Sequence, residues 1–366
     1  MLICCTKKLS EEAQIVREKV PEEKDIFCYS AHFITINRRK VVVVVNDSSR
    51  YGFVLYGLKA KDFKRLDELI LHGIKSSLKS MKIKEEVIEL YLKAAGQLAF
   101  TKTRGPKYVG RLNNACERVN ICNDKFDSKV IYQYIASKMM NEDIIRFHDT
   151  KDYKYVYELL IDDLNNFAGL NIIKCEAVDL IIKLDLGSHK TWRRLIVPND
   201  ITFKQFHLVL QRAFNWDNNH CYDFNIFDEN GKRIFKVRDN DEIYEFEKED
   251  KLLLDPDTKI LDFVKNEYKI TYVYDFGDNW EHEIVTQGTI YDYDKNYPTC
   301  IMGEGITPPE DIGGIQGYEE FLKIMSDPNN NGYERACAWA EDQGYKEFDI
   351  ELVNRKLRSA LKLTLY

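Results

Sequence analysis

Apolar residues fall at every second position between 177 and 186: Val178, Leu180, Ile182, Leu184 and Leu186. A period of two fits a strand with one buried face and does not fit a helix. Gly187-Ser188-His189 then offers a turn, 190–197 reads as the antiparallel partner, and Pro198-Asn199-Asp200 stops it. A helix is expected over 203–214, capped by Asp200 or Thr202, with Phe203, Phe206, Leu210, Ala213 and Phe214 on its apolar face. Strands are expected at 222–227 and 233–237, then a long acidic loop, then strands at 268–274 and 282–290. Helices follow at 318–325, 333–340 and 350–361. A hairpin, a helix and further antiparallel strands make an α+β domain, β-grasp-like, with a helical tail.

The first third of the chain is also α+β. Residues 1–5 read as a short strand, 9–19 as a helix, and 31–36, 41–45 and 53–56 as extended runs. Apolar residues three and four apart predict helices over 61–81 and 84–98. Residues 101–110 read as a basic loop, because Pro106 and two glycines interrupt any regular element. Residues 120–170 are polar and helical by period, too charged for a core of their own. The chain is thus expected as two α+β domains, 1–119 and 171–366, joined by a helical connector over 120–170.

With 366 residues, two or three domains of ordinary size are expected. The longest apolar runs, such as Val41–Val45, fall far short of the roughly 20 residues that span a bilayer. The opening residues carry no cationic segment followed by an apolar core and are not read as a signal peptide. The nine cysteines are scattered, with no Cys-x-x-Cys pair, which excludes a zinc ribbon and a thioredoxin-type motif. Scattered thiols and no leader give a cytoplasmic expectation. A net charge of −7 does not favour nucleic acid. The dinucleotide and P-loop fingerprints, the Gly-x-Ser-x-Gly elbow and His-Glu-x-x-His are absent.

Several stretches carry a resemblance. They are 192–203 (Trp-Arg-Arg-Leu-Ile-Val-Pro-Asn-Asp-Ile-Thr-Phe), 213–216 (Ala-Phe-Asn-Trp) and 220–224 (His-Cys-Tyr-Asp-Phe). Next come 274–282 (Tyr-Asp-Phe-Gly-Asp-Asn-Trp-Glu-His), 297–300 (Tyr-Pro-Thr-Cys), 308–314 (Pro-Pro-Glu-Asp-Ile-Gly-Gly) and 317–319 (Gly-Tyr-Glu). In this order they resemble the plasmid pRiA4b open-reading-frame-three-like family. The resemblance implies a small α+β domain without a known reaction, met on plasmids and mobile elements. Residues 5–9, 36–40, 57–59 and 98–103 resemble a separate bacterial domain of unknown function. Many family members carry a second His where Tyr222 stands and further Cys near Thr307 and Ile312, which this sequence lacks.

Candidate site residues crowd into the loops of the C-terminal domain, where function tends to lie. A binding face is expected from His220, Asp275, Asp278, Trp280, His282, Cys300, Pro309, Glu310 and Asp311. Asp275, Asp278, His282 and Glu310 could instead hold a divalent metal in a hydrolase or nuclease. The bland reading of the 275–282 turn has Gly277 at positive φ, aspartates bonded to turn amides and Trp280 as an anchor. His220, His282 and Cys300 are the weak soft-metal set, and no cofactor is otherwise expected. Residues 275–327 hold twelve carboxylates against Lys295 and Lys323, which suits a cation or a basic partner. Arg38, Arg39, Lys102, Arg104 and Lys107 are the possible phosphate contacts of a nucleic-acid accessory. The preferred expectation is a binding or adaptor module, not an enzyme, with a protein or small-molecule partner and no membrane.

Overall fold

The computed structural model describes residues 1–146, 153–238, 252–264 and 268–361. The chain divides into two compact units, Met1–Lys174 and Cys175–Leu361.

In the first unit, strands β1 (Leu2–Cys5), β2 (Cys28–Ile36), β3 (Arg39–Asn46), β4 (Gly52–Tyr56) and β5 (Ala99–Lys102) form one sheet in the order β4-β3-β2-β1-β5. β1 runs parallel to both neighbours and the other pairs are antiparallel. Helices α1 (Lys7–Glu12), α2 (Ala60–Phe63), α3 (Leu66–Ser80) and α4 (Glu85–Ala95) lie between these strands in the chain. After β5 come α5 (Pro106–Ile121), α6 (Tyr134–Asn141), the short pair β6 (Ile144–Arg146) and β7 (Tyr153–Tyr155), and α7 (Val156–Ala168). The unbroken valine run has a direct cause: Val42 and Val44 enter one core cluster, Val41, Val43 and Val45 another, so β3 is covered on both faces.

Three expectations change here. The helix over 9–19 is only Lys7–Glu12, capped by the Thr6 hydroxyl, and the chain turns away at Gln14 with φ 56°. The basic loop over 101–110 is instead a strand end followed by α5. Pro106 opens that helix rather than breaking it, since the first turn needs no N–H from its first residue. The stretch 120–170 packs into the first unit. Ile131 O accepts from Tyr56 N (2.8 Å), Gln133 N donates to Val54 O (2.9 Å), and the Asn141 side chain bonds both Gly52 N (2.8 Å) and Gly52 O (2.7 Å). This segment therefore seals the open edge of β4, which would otherwise leave a row of unpaired backbone groups. Val156, Leu160 and Leu164 of α7 join the main core cluster.

The second unit begins with the expected hairpin, β8 (Cys175–Leu186) and β9 (His189–Pro198), then α8 (Phe203–Phe214). Thr202 caps α8: its hydroxyl accepts from Gln205 N (3.2 Å) and Gln205 Oε1 accepts from Thr202 N (3.0 Å). Then come β10 (Tyr222–Phe227), β11 (Arg233–Arg238), β12 (Leu253–Leu254), α9 (Leu261–Val264), β13 (Lys269–Tyr274), β14 (Trp280–Tyr293) and β15 (Thr299–Glu304). Helices α10 (Gly314–Met325), α11 (Tyr333–Asp342) and α12 (Ile350–Leu357) close the unit. The eight strands order as β12-β11-β10-β13-β14-β8-β9-β15, antiparallel except for β11 with β12. Most of the acidic stretch expected after Val237 lies outside the described residues. The core holds α8 against the sheet through Phe203, Phe206, Leu210, Phe214, Trp216, Tyr272 and Trp280. Each such fully buried side chain contributes roughly 1.5–3 kcal/mol.

Candidate functional site

Three loops of the second unit meet at one imidazole. His220 lies in the loop between α8 and β10, Asp275 opens the β13–β14 turn, and Glu310 and Asp311 precede α10. His220 Nε2 is 3.1 Å from Asp311 Oδ1, 3.4 Å from Glu310 Oε2 and 3.6 Å from Asp275 Oδ2. Asp275 and Glu310 are buried, His220 is 28% exposed and Asp311 is 75% exposed, so the cluster opens to solvent on the Asp311 side.

Each carboxylate is held by a different device. Asp275 sits at φ 56°, and its Oδ1 accepts from Gly277 N (2.8 Å) and Asp278 N (3.3 Å). That leaves Oδ2 for His220. The positive φ expected at Gly277 falls on Asp275 and Asn279 instead, residue types that tolerate it through local side-chain bonds. Glu310 Oε1 accepts from Asp217 N (2.7 Å) and from the Tyr274 hydroxyl (3.0 Å). Its Oε2, also buried, has no hydrogen-bond partner, and neither does His220 Nε2. Asn219 N donates to the Tyr274 oxygen (3.0 Å), which directs the phenolic proton to Glu310. Burial and the neighbouring Glu310 push the Tyr274 pKa up and keep the phenol protonated. Asp278 serves the loop: its carboxylate accepts from Gly313 N at 3.2 and 3.3 Å. Gly314 (φ 67°) is required at this approach, because a Cβ there would stand 2.8 Å from Asp278 O.

A buried polar chain holds the His220 loop from below. Gln211 Nε2 donates to the Tyr272 hydroxyl (3.0 Å), which faces His207 Nδ1 (2.8 Å), and His207 Nε2 faces Asn218 Oδ1. Read along the donors, Tyr272 donates to Nδ1 and His207 is the neutral Nε2–H tautomer. Burial lowers its pKa to about 4. The His207 ring stacks on Tyr222 at 3.7 Å. Sequence reasoning passed over His207, Gln211, Asn218 and Tyr274. The signal was present: His207 and Gln211 are polar residues four apart on the buried side of an otherwise apolar helix face.

Three candidates do not reach this face. His282 is fully buried on β14, its Nδ1 against Trp280 O (3.1 Å) and Tyr272 O (3.2 Å), its ring edge-on to Phe214 and Trp216. Burial lowers its pKa to about 3. Trp280 is 1% exposed and packs near Trp216. Cys300 is buried in β15, bonded to Met302 O (3.3 Å), and burial pushes its thiol up to about 11. The set His220, His282 and Cys300 is therefore not assembled. Among the described residues, the group of His, Cys, Asp and Glu placed to share an ion is His220, Asp275 and Asp311, with ligand atoms within 4.8 Å of one another. Pro309 is buried beside Pro308, whose carbonyl accepts from Trp216 Nε1 (3.1 Å).

The basic residues of the first unit are partly committed. Arg104 Nη1 pairs with Asp25 (2.7 Å) and Asp47 (3.3 Å), and Arg104 and Lys107 lie over the Tyr108 ring. Arg39 lies over Tyr56, while Arg38 and Lys102 are exposed.

The family model for the plasmid pRiA4b ORF-3-like protein matches residues 176–357. Uncharacterized protein y4hQ of Sinorhizobium fredii (strain NBRC 101917 / NGR234) is 32% identical over 168 residues, 46% of this chain and 82% of that protein. The chain belongs to the plasmid pRiA4b ORF-3-like family. All the residues of the three-loop cluster lie inside the pRiA4b-like segment. A domain of unknown function, DUF6933, matches residues 2–159 and so covers most of the first unit. The solved protein of unknown function MM3350 from Methanosarcina mazei Go1 is 27% identical, with a TM-score of 0.42, over 48% of this chain and 96% of that one. No helix among the described residues is long and apolar enough to cross a membrane.

Proposed function

We propose that this protein is a binding module whose working surface is the loop face of the pRiA4b-like unit, and that this surface takes a positively charged group. One observation carries the reading: three carboxylates from two separate loops converge on His220 within 3.1–3.6 Å. Their formal charge of −3 exceeds what one imidazolium would offset, and carboxylates gathered around one neighbour repel unless a cation joins them. The nine cysteines, which form no disulfide, support a cytosolic setting. Isothermal titration of the full chain with spermidine, an arginine-rich peptide and Mn²⁺ tests the proposal. At least one probe binds and is weakened in Asp311→Asn. Absence of binding by all three up to about 1 mM, or equal binding by the variant, would overturn it.

A metal-dependent hydrolase is the second reading. Its residues become His220, Asp275, Glu310 and Asp311, because Asp278 is engaged with Gly313 and His282 lies in the core. The exposed Asp311 side favours it, since substrate and water could reach a bound ion there. Turnover of phosphate esters or peptides that needs Mn²⁺ and fails in Asp311→Asn would support it. A nucleic-acid accessory role draws less support, because Arg104 already has two carboxylate partners.

A further inference from the structure

The geometry points to a binding site for one first-row divalent metal ion, held by His220 Nε2, Asp275 Oδ2 and Asp311 Oδ1, with Glu310 Oε2 closing a fourth side. This inference rests on the loop face being a cation-binding surface and names its ligand.

Two independent observations support it. The first is spacing. Ligands about 2.0–2.2 Å from a metal, at right angles or tetrahedral, stand about 2.8–3.6 Å from one another. The three carboxylate oxygens lie 3.1, 3.4 and 3.6 Å from His220 Nε2. The second is the state of Glu310. The residue is 8% exposed, its Oε1 is doubly bonded by Asp217 N and Tyr274, and its Oε2 faces His220 with no hydrogen-bond partner. A buried carboxylate oxygen left without a donor is costly, and a metal ion would satisfy it.

The donor set selects the class of ion. Mg²⁺ and Ca²⁺ prefer all-oxygen shells, whereas one imidazole among carboxylates suits Mn²⁺, Fe²⁺ or Zn²⁺. The pattern of protein ligands with a solvent-facing side resembles an open site more than a closed structural one. The ligand loops are fixed before binding: Asp275 by its own turn amides, Glu310 by Tyr274, and the His220 loop by the Asn218 and His207 bonds.

The test uses the full chain, stripped with chelator and titrated with Mn²⁺ while free Mn²⁺ is read by electron paramagnetic resonance. Zn²⁺ content of the untreated protein is measured in parallel. One Mn²⁺ per chain is expected, with affinity at least about tenfold weaker in Glu310→Gln and in Asp311→Asn. Glu310→Gln keeps the acceptor for Asp217 N and Tyr274. Asp311→Asn changes an exposed side chain at φ 59°, which asparagine accepts, so it remains informative if the first variant does not fold. Glu319→Gln, an exposed acid of the same stretch, is expected to bind as the wild type does. The inference is overturned if no metal binds, if neither cluster variant weakens binding, or if Glu319→Gln weakens it equally. If spermidine or the peptide binds through Asp311 while no metal does, the metal inference fails and the cation-binding surface stands. If nothing binds, both fail.

Discussion

Replacing Arg193 by lysine is expected to destabilise the second unit by about 3 kcal/mol or more, since each hydrogen bond from a charged donor contributes about 1.5–3 kcal/mol. Arg193 is 3% exposed, and among the described residues its partners include no carboxylate. Its Nε donates to Ala213 O (3.2 Å), Nη1 to Trp192 O and Glu304 O (both 2.8 Å), and Nη2 to Gly305 O (3.1 Å) and Thr307 Oγ1 (3.3 Å). The guanidinium lies 4.2 Å from the Phe348 ring centre and 5.2 Å from that of Phe214. Ala213 lies in the last turn of α8, so part of the counter-charge is the negative end of the helix. Burial lowers the guanidinium pKa to about 10, which still leaves it charged at neutral pH. The side chain ties β9 and α8 to the segment that leads into Glu310. Lysine offers donors from a single atom and cannot span these acceptors, so at least two buried groups lose their partner. For a unit of this size, about 2–4 °C of melting temperature follows each kcal/mol, giving a drop of roughly 6–12 °C. Arg194→Lys is the control. Arg194 binds Asp179 at 2.9 and 2.6 Å in a part-exposed pair, where lysine keeps its charge beside the carboxylate and about 1 kcal/mol is expected to be lost. Thermal melts followed by circular dichroism decide it: an Arg193→Lys protein within 2 °C of wild type, or an Arg194→Lys protein equally weakened, would refute the reasoning.

Acid should destabilise the fold before most carboxylates titrate. His207 and His282 have folded pKa values of about 4 and about 3, against about 6.5 when unfolded, so the unfolded chain binds more protons in that window. Stability is then flat above about pH 7 and falls as pH drops through 6.5, by about 2 kcal/mol per histidine at pH 5. Urea unfolding at pH 7.5 and 5 checks this, and an unchanged midpoint would contradict it. Gly317→Ala would set a Cβ 1.8 Å from Ile312 O and is expected to cost about 3 kcal/mol or more, read as lost soluble yield or a lowered melt. Asn141→Ala leaves Gly52 N and O buried without their partner and is expected to cost about 2–5 kcal/mol in the first unit's unfolding transition. No change there would count against 120–170 as the seal of β4.

Much of the second unit was legible locally. The alternation over 177–186 gave β8, Asp200 and Thr202 were the caps on offer for α8, of which Thr202 serves, and Pro198 closed β9. His282 shows how such reading goes astray. With the strand taken to begin at 282, the residue falls in a loop. With β14 beginning at Trp280, Trp280, His282 and Ile284 share the core face and Glu281 and Glu283 the other. The phase was written in the sequence, and the choice of first residue decided it. Pro106 misled differently, because a proline that interrupts a helix and one that starts it look alike until the flanking turn is known.

By itself the sequence determined the α+β class, the family of the C-terminal half and the candidacy of Asp275, Glu310, Asp311 and His220. Only the tertiary structure decided that these four meet. Periodicity and capping act between residues a few positions apart, so sequence carries them directly. The meeting of loops at 220, 275 and 310 depends on which strands pair and on glycines that admit backbone contact at Asp278 and Ile312. Those are long-range steric facts, and no local pattern of charge encodes them.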